Sequence, residues 1–216
     1  MSHAKFAPSA ADRWLACGYS VKMAAFFPNK ETPATSDGVR HHAIAAQHLL
    51  DNSDSANPQL QSYLKEVRSS QGELLVERKV IMVPGLCWGT SDVIVLGDRA
   101  LGVYDLKWGV SPVPAVNNPQ LLLYAFGALR EFPIPRNATV SLNIVQPRAS
   151  SGWPVKTWLT TPDHILQFRP RLMAAIEEGL KENPKAVAGH HCYWCPAKLH
   201  CHAYLFSIGQ KFSLLS

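Results

Sequence analysis

Three β-forming stretches run in close succession: "ELLVERKVIMV" (73–83), "LCWGTSDVIVL" (86–96) and "ALGVYDLKW" (100–108), cut apart only by "PG" and "GDR" turns. Short β-rich runs separated by tight turn residues predict an antiparallel meander. This feature constrains the chain most. A meander needs its apolar faces covered, and the flanking sequence supplies helices to cover them.

Upstream, Ser9 and Asp12 have the spacing of a capping box, which predicts a short helix that delivers Cys17 at its end. "TSDGVRHHAIAAQHLLD" reads as a helix capped by Ser36 or Asp37, with Ala and Leu spaced for one buried face. In "NPQLQSYLKEVRSS", Asn57 is the cap and Pro58 takes the first helical position. Downstream, "NPQLLLYAFGALRE" is helical, "ATVSLNIVQP" and "VKTWLTT" are strands, and Thr161 before Pro162 opens a long helix to about Glu182. "ENPKAVAG" then links to a cysteine-rich end. The expected fold is α/β (α+β), a mixed central sheet flanked by helices. The chain reads as a single unit, 1–216. It comprises an N-terminal helical region (1–72), a sheet region with one crossing helix (73–160) and a C-terminal helix with cysteines (161–216).

With 47% hydrophobic and 17% charged residues the chain buries a real core and is not a disordered segment. No apolar run reaches bilayer-spanning length, and the first residues lack the apolar core of a secretory signal. No membrane association and a cytoplasmic location are therefore expected. There, five cysteines are reduced or metal-bound rather than disulfide-bonded. A net charge of +5 suits a nucleic-acid partner without requiring one, because the basic residues are scattered.

The chemistry concentrates in the meander. Asp92 interrupts an apolar run, and Asp105 and Lys107 alternate on the next strand, so the pleat points both to one side. Converging carboxylates suit a hard divalent cation, and a cation so held activates water and polarises a phosphodiester. Lys107 would stabilise the charge developing on the phosphate. Gly89 lets the backbone bend or another group approach closely. Gln120 and Tyr124, at i and i+4, share a helix face on which they can bind a phosphate or hold Lys107. An imidazole comes from His41 or His42, between which spacing does not choose. Glu77, on the preceding strand, offers a further carboxylate to this site, but a solvated strand carboxylate is the favoured reading.

The order G-x-x-x-H (38–42), G-x-x-D (89–92), D-x-K (105–107), Q-x-x-x-Y (120–124) resembles the RecB-like branch of the PD-(D/E)xK nuclease superfamily. One N-terminal cysteine with C-x-x-C-P…C at the other end is similar to the iron–sulfur nucleases of that branch. These include the AddB nuclease domain, CRISPR-associated RecB-type exonucleases and a phage and prophage family. The resemblance implies a restriction-endonuclease-like fold and a Mg²⁺- or Mn²⁺-dependent deoxyribonuclease. It would be an exonuclease on DNA ends or single strands in phage replication or recombination, in a bacterial host cell. DNA and a phage recombination or replication protein are the implied partners. Asp92, Asp105, His42 and the Leu106 backbone carbonyl would hold the metal. Lys107 would be the catalytic lysine, and Gln120 and Tyr124 would position it and the DNA. The competing expectation is a non-catalytic DNA-binding or assembly factor with a structural metal centre.

In "HHCYWCPAKLHCHAY", Cys192 and Cys195 can share one metal, and Cys201 lies close enough to join. Cys17 or one of His191, His200 and His202 would be the fourth ligand. A Cys₃His zinc site and a four-thiolate iron–sulfur cluster both follow from these residues. The resemblance implies a 4Fe–4S cluster on Cys17, Cys192, Cys195 and Cys201, joining the two ends of the chain. Cys87 reads as a buried, inert thiol.

Overall fold

A computed structural model of the chain describes residues 4–28 and 31–213. Its helices are α1 (Ala11–Trp14), α2 (Tyr19–Ala24), α3 (Pro33–Leu50), α4 (Pro58–Arg68), α5 (Pro119–Glu131), α6 (Pro162–Leu166), α7 (Arg169–Leu180) and α8 (His202–Ser213). Its strands are β1 (Glu73–Val83), β2 (Cys87–Gly97), β3 (Ala100–Leu106), β4 (Thr139–Val145) and β5 (Val155–Thr160). The five strands form one sheet in sequence order. β1, β2 and β3 pair antiparallel as the turns between them dictate. β4 lies parallel to β3, which requires the crossover that α5 supplies, and β5 returns antiparallel.

The pleat sorts the core into two layers. Val80, Met82, Ile94, Leu101, Val103, Leu142 and Ile144 pack on one face with α5 and with Phe6, Trp14, Ile165, Leu172 and Ile176. Val93, Val95, Tyr104, Leu106 and Val145 pack on the other with Ala45, Leu60, Tyr63, Leu64 and Val67 of α3 and α4. This is the mixed sheet flanked by helices that the hydrophobic pattern predicts. The sheet lies between the layers, and its functional side chains lie where β2 and β3 separate.

Three local expectations are corrected. Ser9 lies inside a 3₁₀ turn, Pro8–Ala10, that runs into α1 without a side-chain cap. α3 begins earlier than Ser36 or Asp37. Thr32 and Thr35 form a reciprocal capping box around Pro33, so the Thr–Pro pair, with proline pre-set for a first turn, wins over the later Ser–Asp. The helix from Thr161 breaks at Gln167–Phe168, because Pro170 has no N–H to continue the ladder and restricts the residue before it. The Asn57 and Thr161 caps form as their X–Pro signatures predict, and Asn118 caps α5 in the same way.

Gly89 has the expected close approach. A Cβ there would stand 2.9 Å from Pro8 Cδ and 3.3 Å from Tyr124 Cε1, so the N-terminal turn and α5 both dock against this point of β2. Any larger residue would push α5, and with it Gln120, away from β3.

Candidate active site

The β2–β3 ladder runs from Gly97↔Ala100 to Val93↔Tyr104 and stops there. The next pair in register would be Asp92 and Asp105. Instead of a ladder bond, the Leu106 amide donates to Asp92 Oδ2 at 2.7 Å. The Asp92 carboxylate thus fills the gap where the strands part. Its other oxygen accepts a 3.0 Å hydrogen bond from His42 Nδ1, carried in from α3. The choice between the adjacent histidines is settled by their surroundings. His42 faces Asp92, whereas His41 stacks on Trp108 with ring centroids 3.7 Å apart.

Asp105 is 2% exposed and lies on the α5 side. Gln120 Nε2 donates to its Oδ1 at 2.7 Å, and Lys107 Nζ is 2.7 Å from its Oδ2. The same Lys107 ammonium donates to Gln120 Oε1 at 2.8 Å. Lysine, carboxylate and amide therefore close a three-membered ring of contacts. The Asn118 cap on the Gln120 and Leu121 amides fixes the start of α5 beneath it. The lysine–carboxylate contact is ionic rather than a well-aligned hydrogen bond, so Asp105 Oδ2 keeps unused acceptor capacity in a buried place. Tyr124, one turn along α5, is buried against Gly89. Burial pushes its phenol well above the usual range, and the Asp105 charge adds to this.

Burial raises the Asp105 carboxyl above its ordinary value. The Lys107 ammonium opposes this and the Asp92 carboxylate reinforces it. For Lys107 burial works the other way, yet the Asp105 and Asp92 carboxylates outweigh it and hold the amine above its ordinary value. Lys107 is thus an ammonium at neutral pH, suited to stabilise negative charge and unsuited to act as a base. Burial alone would lower His42, but the Asp92 hydrogen bond and charge raise it instead. Removing the ammonium has a testable consequence. In Lys107→Met the Asp105 pKa rises further above its unfolded value, so the folded state favours the protonated acid. Stability relative to wild type then falls as pH rises through and above the ordinary carboxylate range. Urea titrations in a chelator should show a deficit growing from near zero at low pH to about 3 kcal/mol at neutral pH. A pH-independent deficit would contradict this coupling.

Several contributors carry little sequence signal because they meet across long separations. Asp37, inside α3, accepts from Trp108 Nε1 at 2.9 Å, and Arg148 from the β4–β5 connection reaches the same carboxylate while its guanidinium lies over the Trp108 ring. This group ties α3, and so His42, to the residue directly after Lys107. Tyr63, Glu77 and Leu106 line a narrow cleft together with His42 and Asp92. Nothing in the sequence singles out Tyr63, whereas Glu77 is exposed, in keeping with its reading as a solvated strand carboxylate. The left-handed backbone of Glu77, with φ of +50°, is invisible in the sequence.

Among the described residues, no three His, Cys, Asp or Glu side chains converge closely enough to hold a metal ion as they stand. The donor types do suit a divalent cation: one imidazole and two carboxylates, one of them with a buried oxygen that has spare acceptor capacity. A cation would take the place of the His42–Asp92 hydrogen bond.

Cys17, Cys192, Cys195 and Cys201 line a second, small pocket, and all five cysteines are free thiols. The chain ends meet here through ordinary contacts as well. The Tyr19 amide donates to the Lys185 carbonyl at 3.0 Å, Lys22 Nζ donates to the Glu182 carbonyl, and Phe27 stacks on His200. The Val187 and Gly189 amides point at Cys17 Sγ and Cys192 Sγ, each at 3.4 Å. Four sulfur donors, two of them facing backbone N–H groups, suit a thiolate-bound cluster. Burial raises the Cys192 thiol, and the three neighbouring cysteines raise it further, a repulsion that a bound cationic centre would relieve. His191 also lines the cavity, but its Nε2 bonds the Val187 carbonyl at 2.9 Å. His202 stacks toward Phe206. Cys87 is fully buried and its thiol is pushed up to about 12 by burial, as an inert core residue should be.

No helix among the described residues is long and apolar enough to cross a membrane. A solved structure described as "Crystal structure of SSO0001" aligns over 92% of this chain and 85% of its own, with 15% identity and a TM-score of 0.46. The model of the family described as "Protein of unknown function (DUF2800)" matches residues 3–71 and 59–207, nearly the whole chain. The chain belongs to the DUF2800 family.

Proposed function

We propose that this protein is a RecB-like PD-(D/E)xK deoxyribonuclease, dependent on Mg²⁺ or Mn²⁺. It would act on DNA ends or single strands during phage replication or recombination in the cytoplasm of a bacterial host, alongside a phage recombination or replication protein. The observation that carries this reading is the ring of contacts among Asp105, Lys107 and Gln120, set beside the Asp92–His42 pair at the point where β2 and β3 part. Two carboxylates, a lysine and an imidazole gathered at one end of the β2–β3 ladder are the groups that metal-assisted phosphodiester hydrolysis needs, and this supports the reading.

Asp92, Asp105, His42 and the Leu106 carbonyl would hold the cation. When bound, it supplies Lewis-acid polarisation of the phosphodiester and a water acidic enough to attack at neutral pH. The chain's own residues do the rest. Lys107, kept protonated by Asp105, faces the negative charge that develops on the phosphate. Gln120 fixes Lys107 and Asp105 at once, so neither has to reorganise as the charge forms. Tyr124 packs under this group and keeps α5 close to β2. A 4Fe–4S cluster on Cys17, Cys192, Cys195 and Cys201 would act as a structural staple, with zinc the competing occupant.

The test is hydrolysis of end-labelled linear and closed circular DNA by oxygen-free protein. The proposal predicts product only with Mg²⁺ or Mn²⁺, none with excess chelator, and preference for linear over circular DNA. DNA binding without hydrolysis under every metal condition would favour the non-catalytic assembly factor.

A further inference from the structure

Glu77 stands where the β1–β2 ladder breaks. Val76 pairs with Val93 and Arg78 with Ser91, so the residue facing Asp92 in register is Glu77, and that one pair is unmade. Continued one position past Val93↔Tyr104, the register of β2 on β3 brings Asp105 next to Asp92. Glu77, Asp92 and Asp105 therefore occupy successive positions on three adjacent strands, at the points where both ladders are interrupted. Glu77 leaves the ladder by taking φ of +50°, a conformation that glycine or asparagine adopts readily and glutamate does not. Its neighbours Arg78 and Lys79 reach outward to Glu131 and over Trp88. Glu77 instead lines the cleft of His42, Asp92 and Leu106. The residue is exposed overall, yet partial desolvation of its carboxyl raises it, the Asp92 carboxylate adds to the rise and His42 opposes it, so the three groups share one electrostatic environment.

We propose that Glu77 is a further acidic ligand of the divalent-cation site, closing it from the β1 side either directly or through one water. This rests on the nuclease reading only in assuming that a cation binds at Asp92. A hard cation takes six or more oxygen ligands, and the two carboxylates, imidazole and carbonyl assigned above leave positions to fill. The outlying backbone of Glu77 has a use in this arrangement, because it turns the carboxylate off the ladder and into the cleft.

The experiment is Mn²⁺ binding without DNA, followed by electron paramagnetic resonance of the free ion and by calorimetry. It compares wild type, Glu77→Gln, Glu77→Asp and Glu77→Asn. Glu77→Gln should bind Mn²⁺ at least tenfold more weakly, and Glu77→Asp should recover part of the loss. Glu77→Asn should melt at or above the wild-type temperature in chelator, since asparagine tolerates this backbone, and still bind the ion weakly. Mn²⁺ affinity in Glu77→Gln and Glu77→Asn equal to that of wild type would overturn the assignment and leave the nuclease reading intact. Wild type that binds no Mn²⁺ would overturn both.

Discussion

Cys17→Ser is expected to leave the purified protein without its metal centre and to cost it several kilocalories per mole of folding free energy. Serine is nearly isosteric, so the packing around the site is kept and only the thiolate is lost. Linking Cys17 to Cys192 closes a loop that contains most of the chain. The entropy such a cross-link removes from the unfolded state corresponds to about 5 kcal/mol for a loop of this size. The contacts of Tyr19 with Lys185 and of Phe27 with His200 hold the ends together in either case, so the measured loss should fall below that figure. Oxygen-free preparations of wild type should be brown and contain iron and acid-labile sulfide, and Cys17→Ser should have both at background. His191→Ala should keep them, because His191 is engaged by the Val187 carbonyl. Stoichiometric zinc in wild type, lost in His191→Ala but kept in Cys17→Ser, would replace the cluster with a Cys₃His zinc site.

Asp105→Asn should reduce DNA hydrolysis by about 10²–10⁴-fold, the range for removing a positioned charged group from an active site. Asparagine keeps the shape and can still accept from Gln120 through its one carbonyl oxygen, while its NH₂ takes the place of the oxygen that faces Lys107. The drop would thus report the lost charge and not a collapsed helix. Two effects act together. The cation loses one of its two assigned carboxylates, and Lys107 loses the anion that keeps its amine protonated in a buried setting. A Gln120→Ala substitution removes only the restraint on both groups and should have a smaller effect on the rate.

The sequence pattern carries the scaffold of this site because the scaffold is local. X–Pro pairs with a preceding Asn or Thr start helices at Thr32, Asn57, Asn118 and Thr161, though Asn183–Pro184 lies in irregular chain, and the β-rich runs between tight turns set the meander and the register that brings Asp105 next to Asp92. Gly89 is legible as a place of close approach, though not that Pro8 and Tyr124 are what approach it. Ser36 and Asp37 mislead because a good cap signature inside a helix is indistinguishable from one at its start. Asp37 instead serves Trp108 and Arg148, partners that lie far along the chain. Glu77 is half legible. A glutamate between valine and arginine reads as the exposed position of an alternating strand, which it is, but nothing in the residue type signals a left-handed backbone. His41 and His42 are adjacent on one helix, and only the positions of Trp108 and Asp92 tell them apart.

The most direct measurement of the central claim is the rate of Mg²⁺-supported cleavage of end-labelled linear DNA by wild type and Asp105→Asn. Both are prepared without oxygen, and DNA binding is followed in the same samples. The predicted result is metal-dependent cleavage by wild type, at least a hundredfold slower in Asp105→Asn, with DNA affinity changed little. Equal cleavage rates, or no cleavage by a wild-type protein that binds DNA and holds its cluster, would contradict the assignment of Asp105, Lys107 and Gln120 as a nuclease centre.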